Sequence, residues 1–66
     1  MEVRLSRHAR NKMRLYRATP EEVEEALQLG SKVRRGDKWE SRHDKLRVIW
    51  VEVGSYALVV TVIKTR

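Results

Sequence analysis

Two runs rich in Val and Ile, Leu46 to Val53 and Tyr56 to Lys64, are separated only by the dipeptide Gly54-Ser55. β-Branched residues favour strands, and a two-residue connection with glycine first suits a type II′ turn, so the spacing predicts a β-hairpin. Such a turn also sets register. It pairs Val53 with Tyr56, Val51 with Leu58, Ile49 with Val60 and Arg47 with Val62 on one face, expected to lie under helices. The opposite face would carry Leu46, Val48, Trp50, Glu52, Ala57, Val59, Thr61 and Ile63. That set is too apolar for a plain solvent surface, so Leu46, Val48, Trp50, Val59 and Ile63 read as a partner interface. The competing expectation is that sheet curvature and long side chains of a neighbouring polar hairpin cover this face.

Upstream, Glu2-Val3-Arg4-Leu5 alternates polar and apolar, as a short edge strand does when Val3 and Leu5 turn to the core. Ser6 can cap a helix running to Arg17, with Ala9, Met13 and Tyr16 at helical spacing and Lys and Arg on the opposite side. Thr19-Pro20-Glu21-Glu22 is a capping box with proline at the first helical position. A second helix therefore starts here, buries Val23, Ala26 and Leu27, and ends at Gly30. Glu21, Glu22, Glu24 and Glu25 read as capping and solvated-face residues, because acids favour the positive end of a helix dipole. Lys32 to Arg35 and Lys38 to His43 read as two short polar strands joined around Gly36-Asp37. The expected fold class is α+β, one domain over residues 1–66: a short N-terminal strand, two helices, then a three- to four-stranded antiparallel sheet.

A chain of 66 residues has room for one core. It has no cysteine and two histidines, so neither a disulfide framework nor a zinc site is expected, and no metal or cofactor is assigned. No apolar run approaches the roughly 20 residues that cross a bilayer. Residues Met1 to Ser6 alternate charge and apolar groups, unlike a signal peptide, so a cytoplasmic protein without membrane contact is expected. The formal charge of +6 is segmented: six bases and one acid in residues 1–19, four glutamates and no base in 20–30, seven bases and three acids in 31–47. A basic domain of this kind concentrates nucleic acid or acidic protein around itself.

The order strand, helix, helix, antiparallel strands coincides with a local pattern: Ser6-Arg7-His8-Ala9, then Lys12-Met13, then Ala18-Thr19-Pro20-Glu21-Glu22-Val23. Together these resemble the small bacterial family called domain of unknown function 4258. Its N-terminal helix reads His-Ala, three residues on Arg-Met, and then Arg-Gly-Ile before a Ser- or Thr-capped helix. His8, Ala9 and Met13 match that pattern; Lys12 stands where Arg is usual, and Tyr16, Arg17 and Ala18 replace Arg-Gly-Ile. The resemblance implies a RelE-like architecture, similar to the RelE and ParE toxins. In some of those, a basic sheet with flanking helices binds ribosomes and cleaves messenger RNA; others inhibit gyrase.

Metal-free RNA cleavage needs a base, cations for the charged phosphorane, and an acid for the leaving oxygen. In a regular strand Lys38, Glu40 and Arg42 share one face, with Arg47 and Lys64 placed nearby, so Glu40 is a candidate base and Lys38 with Arg42 a candidate phosphate clamp. The plainer alternative is a ladder of cross-strand ion pairs. His8 is the other acid–base candidate, against a structural role as a hydrogen-bonded ring holding the first helix to the sheet. His43, beside Asp44 at a turn, is expected to be exposed. Trp39 next to Lys38 can stack a base, or, pointing the other way, cap the edge of the core.

Three readings follow. In the first, a binding module contacts RNA or an acidic partner through Arg7, Arg10, Arg14, Arg17, Lys32, Arg34, Arg35, Lys38 and Arg42. In the second, the chain is a ribosome-dependent endoribonuclease toxin held inactive by an acidic antitoxin. In the third it is a homodimer joined by the apolar sheet face, its charge serving solubility.

Overall fold

The computed structural model describes residues 2–65; Met1, the first residue of the opening alternation, lies outside them. Seven elements follow one another: β1 (Glu2–Leu5), α1 (Arg7–Tyr16), α2 (Pro20–Leu29), β2 (Ser31–Arg35), β3 (Lys38–His43), β4 (Leu46–Val53) and β5 (Tyr56–Lys64). The strands form one sheet in the order β1-β5-β4-β3-β2. Strands β2 to β5 pair antiparallel with one another, as expected. The sheet has five strands, however, and is mixed, because β1 pairs in parallel with β5. Nothing local in Glu2 to Leu5 names its partner; β5 offers the free edge, and pairing there brings Val3 and Leu5 against the core. Ser6 extends the contact, its N–H donating to Val59 O and its Oγ to Val60 O, both at 3.0 Å.

Both helices start where their caps require. Ser6 Oγ accepts the Ala9 N–H at 3.0 Å, and Thr19 and Glu22 form the reciprocal capping box at 3.0 and 3.1 Å. Their ends differ in kind. Helix α1 stops at Arg17, whose φ of 58° is left-handed and costs a side-chain-bearing residue more than glycine, the residue usual there in the family resembled. Gly30 ends α2 at a φ of −76°, so no left-handed cap is involved. Glycine is needed there for space, since a Cβ would lie 2.5 Å from the carbonyl oxygens of both Ala26 and Arg42. Helix α2 thereby sits close on β3.

The two helices cover one face of the sheet, and the core gathers Ala9 and Met13, Val23, Ala26 and Leu27, Leu46, Val48 and Trp50, and Ala57, Val59 and Val62. This overturns the expected face assignment. Next to the turn the register is the expected one, Val53 with Tyr56 and Val51 with Leu58, and Gly54 has the positive φ (57°) that the turn requires. Between Ile49 and Trp50 the ladder shifts: Trp50 pairs with Val59, Ile49 with Thr61 and Arg47 with Ile63, leaving Val60 as an extra residue. The bulge lets Val59 and Val62 both face the helices. The alternation of β4, which turns Leu46, Val48 and Trp50 to the helices, keeps Arg47 out of the core, where an unpaired charge would cost several kcal/mol. Of the five residues assigned to a partner interface, Leu46, Val48, Trp50 and Val59 are therefore buried by the chain's own helices; only Ile63, 39% exposed, lies outside. The face left open instead carries Ile49, Val51, Val53, Tyr56 and Leu58, each partly or fully exposed. Among the described residues no helix is long and apolar enough to cross a membrane.

Candidate anion-binding site on the open sheet face

Strand alternation sends Trp39, Ser41 and His43 towards the helices and Lys38, Glu40 and Arg42 to the open face, as expected for a regular β3. Across the ladder on that open face, Val33 and Ile49 flank Glu40, Arg35 lies opposite Lys38, and Arg47 lies opposite Arg42. Glu40 is only 5% exposed although it is on the uncovered side. Arg35 Nε lies 2.9 Å from its Oε1, and Arg42 Nε contacts its Oε2. Hydrogen bonding from Arg42 and then Arg35 outweighs the opposing effect of burial and holds the Glu40 carboxyl below its ordinary proton affinity.

This geometry changes the role expected for Glu40. A carboxylate with each oxygen engaged by a guanidinium is a poor proton acceptor near neutral pH. What it does well is position two arginines. Each is tied through Nε, while 59% of the Arg35 side chain and 43% of the Arg42 side chain remain exposed, which leaves guanidinium donors open to solvent. Arg47, set directly opposite Arg42, adds a like charge, an arrangement unfavourable in itself and relieved by an anion between the two. The three guanidinium groups exceed the one carboxylate by two positive charges. Lys38 borders the cluster and pairs with Asp37 at 3.4 Å.

The other candidates are dispersed. Arg7, Arg10, Arg14 and Arg17 are exposed along one stripe of α1 with no ion-pair partner among the described residues, in the helix layer on the other side of the sheet. Lys32 and Arg34 turn to the helix side too, over the rings of Trp50 and Trp39. The single basic surface anticipated from the sequence is thus three patches. His8 is exposed on α1 and, among the described residues, makes no hydrogen bond, so the ring contact expected to anchor the helix is not formed. Neither His8 nor Lys64 joins Glu40; Lys64 faces the helices and lies 3.6 Å from Glu22. His43 is half-buried rather than exposed, its Nε2 2.9 Å from Glu25 Oε1, which pins α2 to β3. With His43, Asp44, Lys45 and Leu46, the α2 glutamates Glu22 and Glu25 line a cleft of about 340 Å³. Its cross-chain pairs left no local sign in the sequence. Among the described residues no three His, Asp or Glu side chains gather to hold a metal ion.

A small mixed sheet backed on one face by two helices defines the architectural class as α+β. Among solved structures the chain is similar to one from the toxin–antitoxin complex RelBE2 of Mycobacterium tuberculosis, with a TM-score of 0.65 over 97% of this chain and 96% of that chain. The two are 17% identical, so the likeness is one of fold. No family model matches the chain, and no curated protein matches it. The resemblance to domain of unknown function 4258 thus rests on the helix residues already quoted.

Proposed function

We propose that the protein binds the phosphate backbone of single-stranded RNA on its open sheet face, through Arg35, Arg42 and Arg47. One observation carries this reading: Glu40, nearly buried on an uncovered face, holds two guanidinium groups in place while leaving guanidinium donors open to solvent. Positioned guanidinium groups suit phosphate because they offer parallel donors to its oxygens. The partly exposed apolar strip beside them, Ile49, Val51, Val53 and Leu58, is the surface we assign to a protein partner with acidic side chains. It takes the place of the buried residues first considered.

The test is fluorescence anisotropy with a short single-stranded RNA at two salt concentrations. Binding that weakens steeply with salt, and that is lost in Arg42→Gln, supports the reading. Equal affinity of Arg42→Gln and wild type removes the site. The second reading, a ribosome-dependent ribonuclease, is favoured by the fold shared with a chain of a toxin–antitoxin complex. In that case the cluster supplies charge stabilisation to the phosphorane and Glu40 acts as a positioning residue. Both histidines lie on the helix side, away from the cluster, which is why binding is placed ahead of catalysis. Cleavage products from translating ribosomes, absent with Arg42→Gln, would reverse that order.

A further inference from the structure

The helix side of the sheet carries a row of side chains that runs from the core to the sheet's edge. Val59 of β5 lies opposite Trp50 of β4, Trp50 opposite Trp39 of β3, and Trp39 opposite Arg34 of β2. Directly opposite residues share a face, so these four form one line across four strands. Exposure rises along it, from Val59 at 0% and Trp50 at 5% to a half-buried Trp39 and an exposed Arg34. The two indoles stack, with centroids 6.0 Å apart and planes at 20°. Arg34 Cζ continues the column 5.0 Å from the Trp39 centroid.

Both ends of the column are fixed. Trp50 Nε1 donates to Ser41 Oγ at 2.9 Å inside, and Arg34 Nε donates to Gly36 O at 2.8 Å outside. Lys32, two residues along β2 and on the same face, holds its Nζ 5.9 Å from the Trp50 centroid. Among the described residues neither Lys32 nor Arg34 has an ion-pair partner, and all five residues of β2 are exposed. The outcome is an aromatic stack that ends in a tethered planar cation, with a second cation beside it.

We infer that the Arg34–Trp39 layer stacks an unpaired base of a bound RNA strand, with Lys32 against an adjoining phosphate. Every base presents a π-face, and the Arg34 guanidinium plane, backed by the Trp39 indole, accepts it without sequence preference. The inference rests on the RNA reading above and adds where the base goes. Arg34 and Arg35 are successive residues of the edge strand and point to opposite faces, so a strand held at Arg35 and Arg42 reaches Arg34 by passing over that edge.

The experiment compares a short oligoadenylate RNA with an abasic ribose–phosphate chain of equal length and charge, by anisotropy and tryptophan emission. Wild type is expected to bind the oligoadenylate about 5- to 150-fold more tightly than the abasic chain, the range one stacked base contributes, with quenching of Trp39. Trp39→Leu, its fold checked by thermal melting, is expected to bind both chains with the wild type's abasic affinity. Arg34→Ala, which keeps both indoles, is expected to reduce the preference for bases and covers the case in which the tryptophan variant does not fold. Wild-type binding of both chains at equal affinity, without quenching, overturns the stacking site and leaves the open-face phosphate site standing. Failure of both chains to bind at low salt overturns both sites.

Discussion

The two faces of the sheet come from the same strands and the same alternation, yet they are built for different ends. The helix side collects Leu46, Val48, Trp50, Ala57, Val59 and Val62, and the buried polar pair within it is satisfied, Trp50 Nε1 donating to Ser41 Oγ. Among the described residues the only deeply buried ionisable group on the open side is Glu40, and it serves two exposed arginines rather than the core. Stability resides on the first face. The second spends some of it on holding like charges together, Arg42 opposite Arg47, as an anion site does.

That contrast can be broken most sharply by truncation. Trp50→Ala on the helix side should cost about 3–5 kcal/mol in urea unfolding, whereas Leu58→Ala on the open side should cost below about 1.5 kcal/mol. Similar losses would mean that the open face is covered. A smaller effect is expected from acid. Because the folded Glu40 carboxyl has a depressed proton affinity, its contribution to stability is fully present above the unfolded glutamate pKa and is lost as pH falls through the folded value. Wild type should therefore lose stability on acidification below about pH 4.3, the ordinary glutamate value, and Glu40→Gln should lose less over the same window. Glu22, lowered by its hydrogen bond with the Thr19 backbone, should leave a residual slope in that variant. The smallest change has the opposite sign: Arg47→Gln removes the like-charge neighbour of Arg42 and should stabilise by about 0.2–1 kcal/mol while weakening RNA binding. A stabilised variant with unchanged binding would make Arg47 a bystander.

Much of the architecture could be read from local chemistry. Capping at Ser6 and Thr19 and the Gly36-Asp37 and Gly54-Ser55 turns mark the element ends, and the parity of β3 placed Lys38, Glu40 and Arg42 on one face. What escaped was set by long-range geometry. A period-two pattern defines two faces without saying which is covered, so the core face was taken for the partner face; the extra residue Val60 then switches the parity of β5, leaving Val62 under the helices and Ile63 outside them. The parallel partner of β1 and the Glu25–His43 pair both join segments with no shared local signal. For the site, parity indicated which charges meet; the burial of Glu40, which turns a candidate base into a clamp, depended on Val33, Ile49 and Arg35 arriving from other strands or turns.

The central claim is that positioned arginines, rather than charge in general, bind RNA. It is tested most directly by two double variants that each remove two positive charges, Arg42→Gln/Arg47→Gln on the open face and Arg10→Gln/Arg14→Gln on α1, titrated with the same RNA at the same salt. Arg35 keeps its pair with Glu40 in the first, so the buried carboxylate is not left alone. The account predicts a loss of about tenfold or more for the open-face pair and about threefold or less for the helix pair. Equal losses would contradict it and return the protein to a basic surface without a site.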